Sequence, residues 1–151
     1  MSEITGIIFP IPKQFVDRLL LEKRNVFVKY VAGKGLSKLS RKQRVLFYVS
    51  KSSKEIVGEG VIDNIDFLTP DEALEQYGDK LFLNEKELKD YTLHRPNREP
   101  SKKMLVIVLS RLRRYSKPRH FKKSISMAGQ YLTKMEYAEL AIMRNQNAVL
   151  T

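Results

Sequence analysis

Apolar and polar positions alternate in several short runs along the chain, and each run predicts a β-strand. A four-residue turn, KSSK, joins two of these runs and predicts a hairpin. The last run, MLVIVLSRLRRY, begins with an unbroken apolar stretch, which is typical of a strand buried on both faces. It ends in a basic segment. The runs are TGIIFPI (5–11), NVFVKYV (25–31), RVLFYVS (44–50), EIVGEGVIDNIDF (55–67) and MLVIVLSRLRRY (104–115). The basic stretch 117–127 is read as a loop that could hold one more short strand.

Helical spacing and capping residues predict helices between and after the strands. Apolar residues recur at one-and-four spacing after Pro12, which predicts a helix over 12–22. A capping box with a proline at the first helical position opens a second helix at Thr69, and Gly78 ends it. The same box recurs from Asn84 to Glu87 and again from Thr133 to Glu136, where it opens a C-terminal helix over about 134–145.

These elements predict an α+β fold in a single domain spanning residues 1–151. We expect a small β-barrel of five or six strands, or a strongly curved sheet, with helices at its margins. The acidic helical insert occupies about 68–91.

The composition excludes several classes of function. The chain has 151 residues and no cysteine, so disulfides, thiolate catalysis and cysteine-ligated zinc are excluded. The only histidines, His94 and His120, lack a ligand spacing, so no metal and no other cofactor is expected. No apolar run reaches the roughly 18 residues of a membrane span, and the first residues do not resemble a signal peptide. We therefore expect a cytoplasmic protein that does not enter a membrane.

Charge is segregated along the chain. The net charge is +11, which favours a polyanionic partner. Residues 1–60 carry 12 Lys and Arg against 5 Asp and Glu, residues 61–91 carry 3 against 9, and residues 92–123 carry 11 against 1. Two basic parts thus flank an acidic insert, and a face of one sign attracts phosphate.

The order of several short motifs resembles the PUA-like superfamily. A first strand, a proline-started helix ending in EKR, an alternating strand and VLFYVSKSSKEIVGEGVID follow one another. EALEQYGDKLFLNEKEL, MLVIVLSRLRRY and SISMAGQYLT then resemble the later part of the ASCH (activating-signal-cointegrator homology) and EVE groups. The resemblance covers roughly residues 5–140 and is greatest to an uncharacterised archaeal family of PUA-like proteins.

The resemblance implies a compact barrel with a cleft that binds RNA or a modified base in relatives. One ASCH branch hydrolyses N4-acetylcytidine with a lysine, a threonine and a glutamate. In this sequence Arg24 and Phe27 take the lysine and threonine positions. Arginine stays protonated and phenylalanine has no nucleophile, so this hydrolysis is not expected here.

The joint between the first helix and the second strand contains three cations: Lys23, Arg24 and Lys29. The resemblance implies that they line the cleft. The alternative is a set of solvated charges at a helix C-terminus, where cations interact favourably with the helix dipole.

The other candidate residues also have a binding and a structural interpretation. Tyr48 could stack a base or belong to the core, and Glu59 is a weak catalytic candidate or a solvated strand carboxylate. Gln130 could read a base edge or lie in a turn. The arginines of the fifth run could form a phosphate track or a solvated edge. The nucleic-acid-binding set is completed by Ser50, Lys51, Lys54, Arg111, Arg113, Arg114 and Tyr131.

The leading hypothesis is a module that binds RNA, or a modified nucleotide, in a basic cleft. One alternative is an enzyme acting on RNA or a modified nucleoside in the same cleft. Another is a protein-interaction module whose acidic insert is the working surface.

Overall fold

A computed structural model describes residues 3–22, 24–31, 38–49, 55–93, 102–121, 125–126 and 128–140. Six strands form one mixed sheet in the order β2-β5-β4-β3-β1-β6. The parallel pair is β1 with β3, and the other pairs are antiparallel. The strands are β1 (Ile4–Pro10), β2 (Val26–Lys29), β3 (Arg44–Val49), β4 (Glu55–Leu68), β5 (Met104–Arg119) and β6 (Gln130–Thr133).

The sheet is strongly curved, but it is not a closed barrel. Its edge strands, β2 and β6, have four residues each and do not pair with one another in the described ranges. Curvature nevertheless brings Phe27 of β2 against Phe9 of β1, with ring centroids 5.2 Å apart, although three strands lie between β2 and β1 in the sheet. The α+β class and the upper strand number are confirmed, and of the two predicted forms, a small barrel and a strongly curved sheet, the structure has the open curved sheet.

Short helices lie at the margins of the sheet, as predicted. They are α1 (Val16–Leu20), preceded by a 3-10 turn (Lys13–Phe15), then α2 (Pro70–Tyr77), a second 3-10 turn (Gly78–Lys80) and α3 (Glu85–Leu93). Residues 134–140 are helical and are called α4. All three predicted capping boxes form, at Thr69, Asn84 and Thr133.

Buried apolar side chains form two hydrophobic clusters. The larger cluster contains Phe9, Phe27 and Phe47 and packs against α1, α2 and α3. The smaller one contains Leu46 and Tyr115 and packs against Tyr137 and Leu140 of α4. Side chains of β1 and β3 alternate between these clusters, whereas both faces of β2 belong to the larger one.

Two strand boundaries differ from the prediction. β5 extends to Arg119 because it pairs with β4 as far as Ile56. On its other side β5 pairs with β2 only up to Val108, so the rest of that edge is open. Pro118 is tolerated there because an edge strand needs no amide donor on its open side. β6 was not predicted as a strand, and its Gln130 was assigned either to a base contact or to a turn, because a four-residue strand is too short to show alternation.

Candidate nucleic-acid interface

Two groups of charged and aromatic side chains lie near different parts of β5. The sheet register pairs Lys29 with Leu105 and Glu59 with Arg113. These β5 positions are eight residues apart, which is roughly 26 Å of extended strand. The predicted cleft residues therefore do not all meet in one pocket.

The first group lies at the end of β1 that carries Phe9 and is called the Phe9 cluster: Phe9, Lys29, Gly129, Gln130 and Tyr131. Within it, the Gln130 side chain lies on the opposite face of the sheet from the Phe9 ring, because Gln130 pairs with Ile8 of the smaller hydrophobic cluster. Lys29 is 9% exposed, and its Nζ lies 5.8 Å from the Phe9 ring centroid, within cation–π range. Lys29 and Phe27 are two residues apart, so their side chains lie on the same face of β2. This explains why the ammonium reaches the concave side of the sheet, where Phe27 meets Phe9.

Gly129 approaches the Phe9 ring from the turn before β6. Its φ of +97° lies in the region that favours glycine, and an added Cβ would be 2.8 Å from Phe9 Cε1. This contact positions the next two residues, Gln130 and Tyr131, which pair with Ile8 and Ile7 of β1. The structure thus brings three predicted residues, Lys29, Gln130 and Tyr131, to one end of β1 and its neighbours.

Tyr131 adds a second cation–aromatic contact to this end of the sheet. Its hydroxyl accepts a hydrogen bond of 3.1 Å from the Lys38 amide, and Lys38 Nζ lies 5.9 Å from the ring centroid. Gln130 is half-buried, and its Nε2 donates a long hydrogen bond of 3.4 Å to the Tyr131 carbonyl. The cluster combines cations, aromatic rings and a side-chain amide, which are groups used to bind nucleic acid.

The second group is called the Glu59 cluster: Glu59, Arg44, Arg113, Tyr115 and Tyr137. The Glu59 side chain is 2% exposed. Its oxygens accept hydrogen bonds from Arg44 Nη1 at 2.7 Å and Arg113 Nη2 at 3.1 Å. They also accept from the hydroxyls of Tyr115 at 2.8 Å and Tyr137 at 2.9 Å.

The hydrogen bonds determine the charge of this cluster. Burial alone would raise the pKa of Glu59, but the hydrogen bonds from Tyr115, Arg113 and Tyr137 outweigh it and lower that pKa. Burial and the nearby Glu59 carboxylate raise the pKa of Tyr115, which stays a neutral donor. Glu59 is therefore ionised at neutral pH.

Arginine side chains also stack on the two tyrosines. Arg44 lies 4.8 Å from the Tyr137 ring centroid, and Arg113 and Arg119 lie 5.7 and 3.7 Å from that of Tyr115. These contacts fix the guanidinium groups from a second direction.

The remaining predicted residues lie elsewhere. Arg24 lines a depression with Glu75, Asp79 and Glu85, beside the acidic helices. Tyr48 is 9% exposed and packs in the smaller hydrophobic cluster. Lys23, Ser50, Lys51 and Lys54 lie outside the described residues.

The predicted arginine track is divided between the two faces of β5. Arg113 joins the Glu59 cluster, and Arg114 forms an ion pair with Asp17 of α1. Arg111 is exposed at a bulge with a φ of +49°, which interrupts the alternation on which its predicted alignment with Arg113 depended.

Sequence reasoning missed Arg44, Tyr115 and Tyr137 as partners of Glu59. One signal was present: Arg113, Tyr115, Lys117 and Arg119 recur with a period of two, which predicts a shared strand face. Arg44 and Tyr137 required the β3–β4 register and the docking of α4. Among the described residues, no group of three or more acidic or histidine side chains is arranged to hold a metal ion. The helices in the described ranges include none with the length and apolar character needed to cross a membrane.

Comparison with known proteins supports the resemblance in fold. The ASCH protein of Zymomonas mobilis superposes with a TM-score of 0.74 at 15% identity, over 91% of this chain and 94% of that one. The N-terminal domain of McrB from Staphylothermus marinus superposes with a TM-score of 0.56 at 14% identity, over 93% and 97%. Both likenesses concern the fold alone, which is similar to that of ASCH domains.

Sequence comparison gives a relative and a family. An uncharacterized protein of Methanocaldococcus jannaschii is 31% identical over 104 residues, which are 64% of this chain and 95% of that protein. The predicted resemblance to ASCH domains and to uncharacterised archaeal proteins is thereby confirmed. Residues 4–134 match the family described as a domain of unknown function (DUF365), and the chain belongs to that family.

Proposed function

We propose that this protein binds single-stranded RNA, or a modified nucleotide within it, at the Phe9 cluster. The observation that carries the proposal is the position of Lys29. Its ammonium lies beside the Phe9 ring on the concave face of the sheet, next to the turn that positions Gln130 and Tyr131. The resemblance to PUA-like proteins implies a cleft for RNA or a modified base, and Lys29 belongs to the residues it assigns to that cleft.

The two side chains on the Phe9 face would have different roles in binding. The Lys29 ammonium would interact with a phosphate or a base carbonyl, and the Tyr131 ring would stack on a base, a contact worth roughly 1–3 kcal/mol. The Gln130 amide carries both a donor and an acceptor, but its side chain lies on the opposite face, beside Ile8 and Leu132. The proposal therefore assigns affinity to Lys29 and Tyr131 and no base contact to Gln130.

The surroundings of Glu59, the one catalytic candidate, favour binding over catalysis. Glu59 is ionised and accepts hydrogen bonds from four side chains, so it has no proton to donate as a general acid. An enzyme acting on RNA would need another general acid, and Glu59 could act as a base only by giving up hydrogen bonds from its four donors.

The test is fluorescence anisotropy with a fluorescent single-stranded RNA pool, over a range of salt concentrations. We expect Lys29→Met, which keeps the apolar stem, to weaken binding about tenfold and to reduce the log–log salt slope by about 0.7. Lys89→Met is the matched control, because Lys89 is an exposed lysine in the acidic insert, paired with Glu85. A wild-type affinity that does not change with salt, or equal binding by both variants, would refute the proposal.

A further inference from the structure

The Glu59 cluster carries more positive than negative charge. One buried carboxylate is shared by the guanidinium groups of Arg44 and Arg113, and the guanidinium of Arg119 stacks on the Tyr115 ring of the same cluster. An arginine cannot lose its charge in a protein. Two cations therefore share one anion, and the excess of one positive charge is fixed in place.

Two of these arginines reach the surface. The Arg44 side chain is 42% exposed and the Arg113 side chain is 46% exposed, whereas Glu59 is 2% exposed. Each guanidinium has five N–H donors, and each directs one of its nitrogens to Glu59. The carboxylate thus holds the inner side of each group, while solvent reaches the outer side.

Anchoring lowers the entropic cost of binding an anion with these side chains. Arg44 is held between Glu59 Oε2 and the Tyr137 ring, and Arg113 between Glu59 Oε1 and the Tyr115 ring. A free surface arginine loses rotamer freedom when it binds, but a side chain that is already fixed loses less. Planar forks of this kind match the oxygens of a phosphate group.

We propose that Arg44 and Arg113, positioned by Glu59, form a second anion site whose ligand is a phosphate group. The phosphate oxygens would accept hydrogen bonds from the outer N–H groups of both arginines. The two sources of this chemistry are a phosphodiester of an RNA strand and a free phosphate compound. The site lies near a different part of β5 from Lys29, so it does not rest on the proposed function.

The first experiment uses the wild-type protein, so it does not depend on the folding of a variant. Pyrophosphate, and separately a short RNA without terminal phosphates, is titrated into isotope-labelled protein while arginine Nε–H resonances are recorded. We expect the resonances of Arg44 and Arg113 to shift, and that of Arg41, which donates to the Asp63 carbonyl, to stay in place. Shifts with RNA alone indicate the phosphodiester source, and saturating shifts with pyrophosphate indicate the free compound. No shift with either ligand overturns the proposal.

The second experiment separates binding from a purely structural role. Arg113→Gln should weaken binding of the ligand that shifts the resonances by about tenfold, since hydrogen bonds between charged groups are lost. Arg41→Gln removes the same charge outside the cluster and should change binding less than twofold. Arg113→Lys should restore only part of the affinity, because a lysine keeps the charge but not the planar fork. Equal affinities of Arg113→Gln and Arg41→Gln would show that the arginines only stabilise the fold.

Discussion

Glu59 and Glu87 both bind arginine, and the pKa of each is lowered, but their surroundings differ. Glu59 is buried in the sheet and binds two arginines and two tyrosines. Glu87 is 25% exposed at the start of α3, where it accepts from the Asn84 amide at 2.8 Å and forms an ion pair with Arg18. Glu87 thus completes a helix cap with one cation, while Glu59 leaves its cluster with excess positive charge. The difference indicates that Glu87 stabilises local structure and that Glu59 organises a surface.

Removing each carboxylate should show the largest difference. We expect Glu59→Ala to lower the free energy of unfolding by about 3 kcal/mol, because it leaves Tyr115 and two arginines without their shared acceptor. Glu87→Ala should cost about 1 kcal/mol, the usual value of a helix cap. Urea unfolding measures both values, and Glu85→Ala, which removes an exposed partner of Lys89, is the control with an effect below about 0.5 kcal/mol. Equal losses for Glu59 and Glu87 would remove the distinction.

The two sites also differ in how well sequence predicts them. Asn84 and Glu87 lie three residues apart, so the capping box is visible in the sequence and the structure forms it. The partners of Glu59 lie 15, 54, 56 and 78 residues away. The positions of Arg113 and Tyr115 depend on the register between β4 and β5, which contains shifts that alternation does not reveal, and those of Arg44 and Tyr137 depend on the β3–β4 register and on the docking of α4.

The same reasoning explains which parts of the fold were predicted. Long runs such as β4 were clear from alternation, as were the capped helices. β6 was missed because four residues carry little periodicity, and the choice between a barrel and a curved sheet stayed open because strand order does not fix closure. Lys29 and Gln130 were both predicted for the site, whereas Phe9, the ring between their segments, was read as a buried strand residue.

Two glycines beside Glu59 offer a smaller test of the register that builds its cluster. An added Cβ at Gly58 would lie 2.7 Å from the Arg113 carbonyl oxygen and 2.6 Å from Leu20 Cδ1. At Gly60 it would meet Leu112 Cδ2 at 2.8 Å, which is the end of a flexible side chain. We expect Gly58→Ala to cost about 2–3 kcal/mol, because backbone must move, and Gly60→Ala about 1 kcal/mol or less.

Urea unfolding checks this pair of variants, and the Arg113 Nε–H resonance reports whether its contact with Glu59 persists. Gly58→Ala should shift that resonance, since its clash lies at the Arg113 backbone. A shift of the same size in Gly60→Ala would mean that the cluster does not depend on the close approach of β4 and β5 at Gly58.

Changes of pH and of salt concentration should reveal the smallest expected differences in stability between the Glu59 and Glu87 variants. Because both pKa values are lowered on folding, each carboxylate stabilises the protein above its unfolded pKa, about 4.5, and this stabilisation is lost as the pH falls through the folded value. Glu59→Gln should reduce the loss of stability between pH 5 and pH 3 by about 1 kcal/mol, measured by urea unfolding at each pH.

Salt at about 1 M reduces the screening length to roughly 3 Å and acts mainly on exposed charges. It should therefore diminish the effect of Glu87→Gln and leave that of Glu59→Gln nearly unchanged. Equal sensitivity to salt would show that water reaches the Glu59 carboxylate, and the two sites would then differ only in their number of partners.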